Sequence, residues 1–343
     1  SSMLPWYIGL TFIHEGINDK ECERMLCSGY DLHQKMTAHR AKLLGKNGGC
    51  SSGTIGYGLG YYPYAEYDLI YTFRSAMGID ITPQMEYMIG YLRYMDWIRL
   101  PGNKEFGIGD ASHTNAKLPW GNIVIHIKAI ANLFGKNHPE ILDWAGDLLA
   151  RYNARERSVR MTFLPLLNRF HFSQNEDAVV ADAGKKSIYF DTLGQIYMRS
   201  GYGDNDTYAV FLTERLTGHH QHFDINNFII YKHGFRALDS GTRPQPGLHL
   251  SHYYARTVAH NCVTVRMPGE TLPKYWGELA AGETAQPVPN DGGQNDQLAC
   301  TLRYHKETAD YVYLASDATK AYNSSKTSNV MREFVYLFPD LFV

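Results

Sequence analysis

The stretch HHQHFDINNFIIYKHGFRALDSG, residues 219–241, decides the fold. It sets Phe228-Ile-Ile-Tyr-Lys232 and Phe235-Arg-Ala-Leu-Asp239 on either side of His233-Gly234. Two β-prone runs joined by a short dipeptide, in which glycine supplies a positive φ, predict a hairpin. His219-His220-Gln221-His222-Phe223-Asp224 leads into its first strand, Asp239-Ser240-Gly241 closes it, and Ala259-His260-Asn261 is expected to open a further strand.

Similar short runs surround the hairpin: 195–199, 208–212 and 261–266 are rich in β-branched and aromatic residues, so the second half reads as β. Before about residue 170 the apolar residues recur at helical spacing instead. Met85, Met88, Ile89, Leu92 and Met95 form one such series, and Ile123, Ile127, Ile130 and Phe134, ending at Gly135, form another. The composition turns polar over 173–186. Helices followed by strands imply segregated layers rather than βαβ units. The expectation is therefore an α+β multidomain chain: a helical domain over 1–172, a linker over 173–186, and an antiparallel β-sandwich over 187–343. The last residues, 335–343, read as strands stopped abruptly, so the sandwich is expected to be incomplete here. No internal repeat or low-complexity tract is visible.

Composition narrows the function classes. A chain of 343 residues suits two domains, each with its own core. A formal charge of -2 and a pI near 6.7 give no basic field, which argues against nucleic acid and leaves any anionic partner to a local patch. No run of about 18 apolar residues appears, and the first residues lack a basic n-region and apolar core, so neither a membrane span nor a signal peptide is expected in the chain. Five cysteines without C-x-x-C spacing argue against a disulfide framework and a thiolate zinc site. The 25 tyrosines, crowded near position 60, fit a carbohydrate cleft, though large cores use them too.

The chemically loaded residues are the histidines of 219–222 with Asp239 and His260. In extended chain His220 and His222 point to the same side, and the two later segments can bring Asp239 and His260 beside them. Two imidazoles and a carboxylate suit Zn²⁺, with water completing a tetrahedron. Ordinary hydrogen-bonded histidines account for the same pattern.

Together with YYARTVAHNCVTV (253–265), the opening stretch resembles the signature region of heparinase II/III-type polysaccharide lyases. YVYLASDATKAY (311–322) and MREFVYLFPDLFV (331–343) resemble later strands of the same sandwich. The resemblance implies an N-terminal (α/α) toroid, incomplete here, before the β-sandwich. It also implies a structural zinc on His222, Asp239 and His260, with His220 facing the substrate as base or ligand. Heparinase II has an asparagine where this chain has His219, so His219 contributes differently to the subsite. Arg256, shortly before the zinc histidine, is implied at the substrate as in the family.

Gly58-Leu59-Gly60-Tyr61-Tyr62-Pro63-Tyr64 resembles the segment in which a glycine precedes the catalytic tyrosine by three positions, which selects Tyr61. Tyr62 and Tyr64 are the neighbouring choices for catalysis or for stacking on a sugar, and all three also suit plain packing at a helix start. The implied reaction is β-elimination on a uronic-acid polysaccharide such as a glycosaminoglycan or alginate. It requires a neutralised carboxylate, a base for the C5 proton and an acid for the leaving oxygen. Tyrosine and histidine supply the last two. The family's neutralising Asn, His or Glu would fall near the start of this chain, where Ser2 and Pro5 stand before Trp6-Tyr7-Ile8-Gly9. Phe106-Gly-Ile-Gly-Asp-Ala-Ser-His113 resembles a loop near the family's cleft through Gly109-Asp110, and reads equally as a capped turn. Arg40, Lys42 and Lys46 form a short basic stretch that attracts a polyanion or is simply a solvated helix face.

Two other readings stand beside the lyase. One is a zinc hydrolase with Asp224 or Glu270 as base, and the other a noncatalytic glycan-binding protein on the same scaffold. A periplasmic or secreted setting, and a homodimer, are expectations from the resemblance alone.

Overall fold

The computed structural model describes residues 4–50, 52, 54–60, 63–111, 118–155, 182–216, 220–243, 247–277 and 279–343. Tyr61, Tyr62, His219 and Ser2 lie outside the described residues.

The helical half comprises α1 (Leu4–Phe12), α2 (Asp19–Leu44), α3 (Ile55–Gly60), α4 (Tyr64–Thr72), α5 (Gly90–Trp97), α6 (Trp120–Phe134) and α7 (Glu140–Tyr152). In α2 the Asn18 side chain accepts from the Glu21 amide, Asp19 and Glu21 occupy the first turn and Lys42 the last, which complements the helix dipole at both ends. α6 is apolar on nearly every side because it is central: it packs against α3, α5 and α7 and buries eleven of its fifteen residues. The methionine series does not form one helix. Thr82–Gln84 and Glu86–Ile89 are 3-10 turns, and α-helix begins only at Gly90. Pro83, in the first of these turns, lacks the N–H that a continuous helix would need there.

The second half contains two antiparallel sheets. β1 (Ser187–Phe190), β2 (Gln195–Arg199), β3 (Tyr208–Leu212), β4 (Phe228–Tyr231) and β5 (Phe235–Ala237) follow one another in a meander. β6 (Thr301–Glu307), β7 (Tyr311–Asp317), β8 (Met331–Leu337) and β9 (Leu341–Phe342) form the other. The hairpin is present as β4–β5, with His233 and Gly234 both at positive φ. The run 261–266 is not a strand. Thr257–Ala259 is a 3-10 turn, after which the chain is held to a loop by the Val265 amide on the Gly292 carbonyl.

The first sheet is buried on both faces. Alternate residues Tyr197, Tyr208, Val210, Leu212, Ile229 and Tyr231 join the helical core, while Ile196, Met198, Ala209 and Phe211 meet Val312, Leu314, Phe334 and Tyr336 of the second sheet. The helices and the first sheet thus share one core, and the two sheets enclose a second. Polar groups fix their register: Arg199 pairs with Asp96 at 3.1 Å and stacks between Trp97 and Tyr202, and Tyr94 donates to Gln195 at 2.9 Å. Asp182, in the segment expected to be linker, is buried against Arg93 at 2.9 Å. No helix among the described residues is long and apolar enough to cross a membrane.

Candidate active site at the helix–sheet seam

The site forms where the loop of Gly109 and Asp110, from the helical half, meets the histidine segment before β4. The Asp110 amide donates to the His220 carbonyl at 3.0 Å, and the Arg243 amide donates to the Ala111 carbonyl at 2.7 Å. The loop is therefore pinned on both sides of Asp110. Gly109 permits this approach: it sits at φ +59°, and a Cβ there would lie 2.4 Å from the His220 carbonyl oxygen.

Asp110 is the hub. Its Oδ2 is 2.7 Å from His220 Nδ1; its Oδ1 is 3.0 Å from His222 Nε2 and accepts from the Tyr275 hydroxyl at 3.0 Å. Burial alone would raise its pKa, but the hydrogen bonds from His220 and His222 outweigh it and hold the carboxyl well below the usual range. Burial and then the Asp110 charge push the Tyr275 phenol well above its ordinary value, so it remains a donor. With Nδ1–H donated to Asp110, His220 carries its basic lone pair on Nε2.

Aromatic rings frame His220. Tyr57 of α3 stacks on it at 4.3 Å between centroids and 21°, and Trp276 meets it edge-on at 4.8 Å. The Arg243 guanidinium lies over Trp276 at 4.8 Å and 3.6 Å from Asp110 Oδ2. The end of α3 is fixed by α4 and α6: Tyr64 donates to the Gly60 carbonyl at 2.9 Å, Asn122 donates to it at 3.3 Å, and His126 hydrogen-bonds the Leu59 carbonyl. These contacts anchor the residues immediately before Tyr61. Tyr64 is thus engaged at a helix start.

Behind His220 lies a second, fully buried group. Asp224, Asp239 and His260 present ligand atoms within 4.8 Å of one another and could hold a metal ion. Asp239 is held by the Asn227 side chain at 2.8 Å and the Gly241 amide at 2.8 Å, and receives His260 Nδ1 at 2.8 Å. A Cβ on Gly241 would fall 2.0 Å from the His260 ring, so only glycine leaves that imidazole its place. Burial opposes both charges, but the Asp239–His260 pairing wins, lowering the carboxyl pKa and raising that of the imidazole. Arg215 binds Asp224 Oδ1 at 2.9 Å. Three buried atoms here have no hydrogen-bond partner among the described residues: His222 Nδ1, Asp224 Oδ2 and His260 Nε2. Buried nitrogen and carboxylate atoms without partners are compatible with a metal ion held by Asp224, Asp239 and His260. His222 stands beside this group, its ring 5.3 Å from that of His260.

Other expectations are relocated. Arg256 is fully buried, donating to the Pro273 and Gln294 carbonyls and pairing with Asp291 at 3.3 Å, so it braces loops instead of facing a ligand. Glu270 is locked with Lys326 at 2.8 Å, both about 1% exposed. Arg40 is turned inward onto the buried Glu66, which also receives the Tyr87 and Tyr91 hydroxyls. Sequence reading missed Tyr57, Arg243, Tyr275 and Trp276. Only Tyr57 carried a signal, as one more tyrosine of the crowded segment.

No protein-family model and no curated protein matches the chain. Solved structures do. A structure of heparinase III with methylated lysines aligns with TM-score 0.56 and 14% identity over 99% of this chain and 42% of that one. A mutant of heparan sulfate lyase from Pedobacter heparinus aligns with TM-score 0.56 and 13% identity over 99% of this chain and 43% of that one. A further heparinase III structure gives 0.52 and 12% over 98% and 45%. The chain therefore has a heparinase III-like polysaccharide lyase fold, and spans less than half the length of the structures it matches.

Proposed function

We propose that the chain is the site-bearing part of a polysaccharide lyase that cleaves a uronic-acid polysaccharide, such as a glycosaminoglycan or alginate, by β-elimination. The observation that carries this reading is His220, its Nδ1 held by Asp110 at 2.7 Å and its ring framed by Tyr57, Trp276 and Arg243, in a heparinase III-like fold. A base, aromatic faces for sugar rings and a cation are the parts that the elimination uses. His220 Nε2 takes the C5 proton, the C5–H electron pair forms the C4–C5 double bond, and the C4–O bond breaks. Tyr61, which follows the anchored end of α3, protonates the leaving oxygen. The helices belong to an (α/α) toroid.

Zinc is the metal that fits the buried group. His260, with His222 beside it, would supply nitrogen, and Asp239 and Asp224 would supply carboxylate oxygen. His222 would then give its other nitrogen, Nε2, to Asp110, the usual outer support of a metal-bound histidine. The ion would brace the loop that presents His220. A water-activating role fits less well, because Glu270 is held by Lys326 and Asp224 by Arg215.

The test is incubation with heparin, heparan sulfate, chondroitin, hyaluronan and alginate, following the absorbance of the unsaturated uronate. Cleavage without that absorbance would refute elimination, and binding without cleavage would make the chain a glycan-binding protein. A periplasmic or secreted setting suits such substrates.

A further inference from the structure

β-Elimination stalls unless the uronate carboxylate is neutralised, because negative charge spreads onto it in the transition state. Neither Ser2 nor Pro5 provides a charge for this. The site itself contains a cation held only by one long ion pair, Arg243 to Asp110. Arg199, Arg215 and Arg256 have side chains at most 4% exposed, paired with Asp96, Asp224 and Asp291 respectively. Arg243 differs: its side chain is 26% exposed, and its guanidinium has no hydrogen-bond acceptor among the described residues. Asp110 Oδ2 lies 3.6 Å away, beyond hydrogen-bond range, and that oxygen is taken by His220.

Its position is nevertheless set. The Arg243 amide is tied to Ala111, next to the hub carboxylate, and its guanidinium lies over Trp276, whose ring also touches His220. A guanidinium lying over a ring can meet a carboxylate through two parallel hydrogen bonds. Trp276 is 44% exposed, so the ring and the guanidinium lie where a sugar can reach them.

We propose that Arg243 binds and neutralises the carboxylate of the uronate whose C5 proton His220 removes. This rests on the lyase reading of the same site. Arg243 transfers no proton: the C5 proton goes to His220, the electron pair into the new double bond, and the leaving oxygen is protonated by the acid. The guanidinium stabilises the charge that the carboxylate accumulates while the C5 proton is being lost.

Carboxyl methylation separates this role from a structural one, since an ester needs no neutraliser. Heparan sulfate and alginate, each native and methyl-esterified, are given to wild type, Arg243→Ala and Arg243→Lys. On the cleaved polymer, Arg243→Ala should lose about 100-fold or more in kcat, the size seen when one transition-state donor is removed. Its rate on the ester should stay within about threefold of wild type, and Arg243→Lys should recover part of the loss. Equal losses on acid and ester, or none on the acid, would overturn the assignment. Equilibrium binding of the same four polymers is measured alongside. If wild type forms no unsaturated product yet prefers acid to ester, and Arg243→Ala erases that preference, the lyase reading fails and the carboxylate site stands. No acid preference in wild-type binding or turnover refutes the site itself.

Discussion

Replacing Asp110 by asparagine tests the hub most directly. The carboxylate accepts from three donors, His220 Nδ1 at 2.7 Å, His222 Nε2 at 3.0 Å and the Tyr275 hydroxyl at 3.0 Å. An asparagine has one acceptor oxygen, which satisfies two donors when placed at the Oδ1 position. Its NH₂ then faces His220 Nδ1, and the imidazole can accept that hydrogen bond only by moving its proton to Nε2. The base would sit in the wrong tautomer, with its lone pair turned away from the substrate. General-base assistance is worth ~10²–10⁴ in rate, so kcat should fall by that factor, equivalent to about 3 to 5 kcal/mol. Exchanging charge-assisted for neutral hydrogen bonds should also cost roughly 1 to 3 kcal/mol of stability. KM should hold within about threefold, because tautomer changes the chemical step more than glycan contact. Initial rates of unsaturated product, with urea unfolding on the same preparation, measure both. A folded Asp110→Asn protein with kcat within about threefold of wild type would show that Asp110 does not set the His220 tautomer.

His260→Ala should abolish zinc binding, read by elemental analysis. Chelation of the wild type at free zinc about 1,000 times Kd should remove about 4 kcal/mol of stability, whereas the variant should not respond. Tyr61→Phe should end turnover and leave metal content and unfolding midpoint unchanged; an active variant would shift the acid to another tyrosine. Burial pushes Glu105 up to about 8. The unfolded chain, with its carboxyl near 4.5, loses this proton first. Glu105 therefore contributes stability that is whole below pH ~4.5 and is lost as pH rises toward 8, at up to ~1.4 kcal/mol per unit. Glu105→Gln should flatten that slope in unfolding curves at pH 5, 6.5 and 8, and an unchanged slope would contradict it.

Local signals carried much of the fold. β2 and β3 were legible because both faces are buried, which leaves continuous runs of β-prone residues with turns at each end. The β4–β5 hairpin was legible because His233-Gly234 states its own turn. The run 261–266 has the same composition as a strand, yet its backbone partner is a loop, and composition cannot report who pairs with whom. The histidines were visible as residues with chemistry, but their acceptor was not. Asp110 lies 110 positions before His220, and the sequence presented it equally as a turn residue. Arg256 shows the converse: nearness in sequence to His260 does not set which side of the chain its guanidinium takes, and here it points inward.

The two groups of polar residues divide the work by depth. Asp224, Asp239 and His260 are fully or almost fully enclosed, and their geometry is set within the β-layers by Asn227, Gly241 and Arg215. Asp110 and Tyr57 come from the helical half, and both act on His220. His220 itself sits at positive φ, a strained conformation for a histidine that costs of order 1 kcal/mol and needs support from around it. That support comes from both halves at once: the Asp110 amide on its carbonyl, the Asp110 carboxylate on its ring, and His222 two residues on, tied to the same carboxylate. His220, the proposed base, is thus held by groups that the docking of the helices on the first sheet brings together. Under this arrangement Asp110 couples docking to the two imidazoles, since its amide and its carboxylate both reach across the seam.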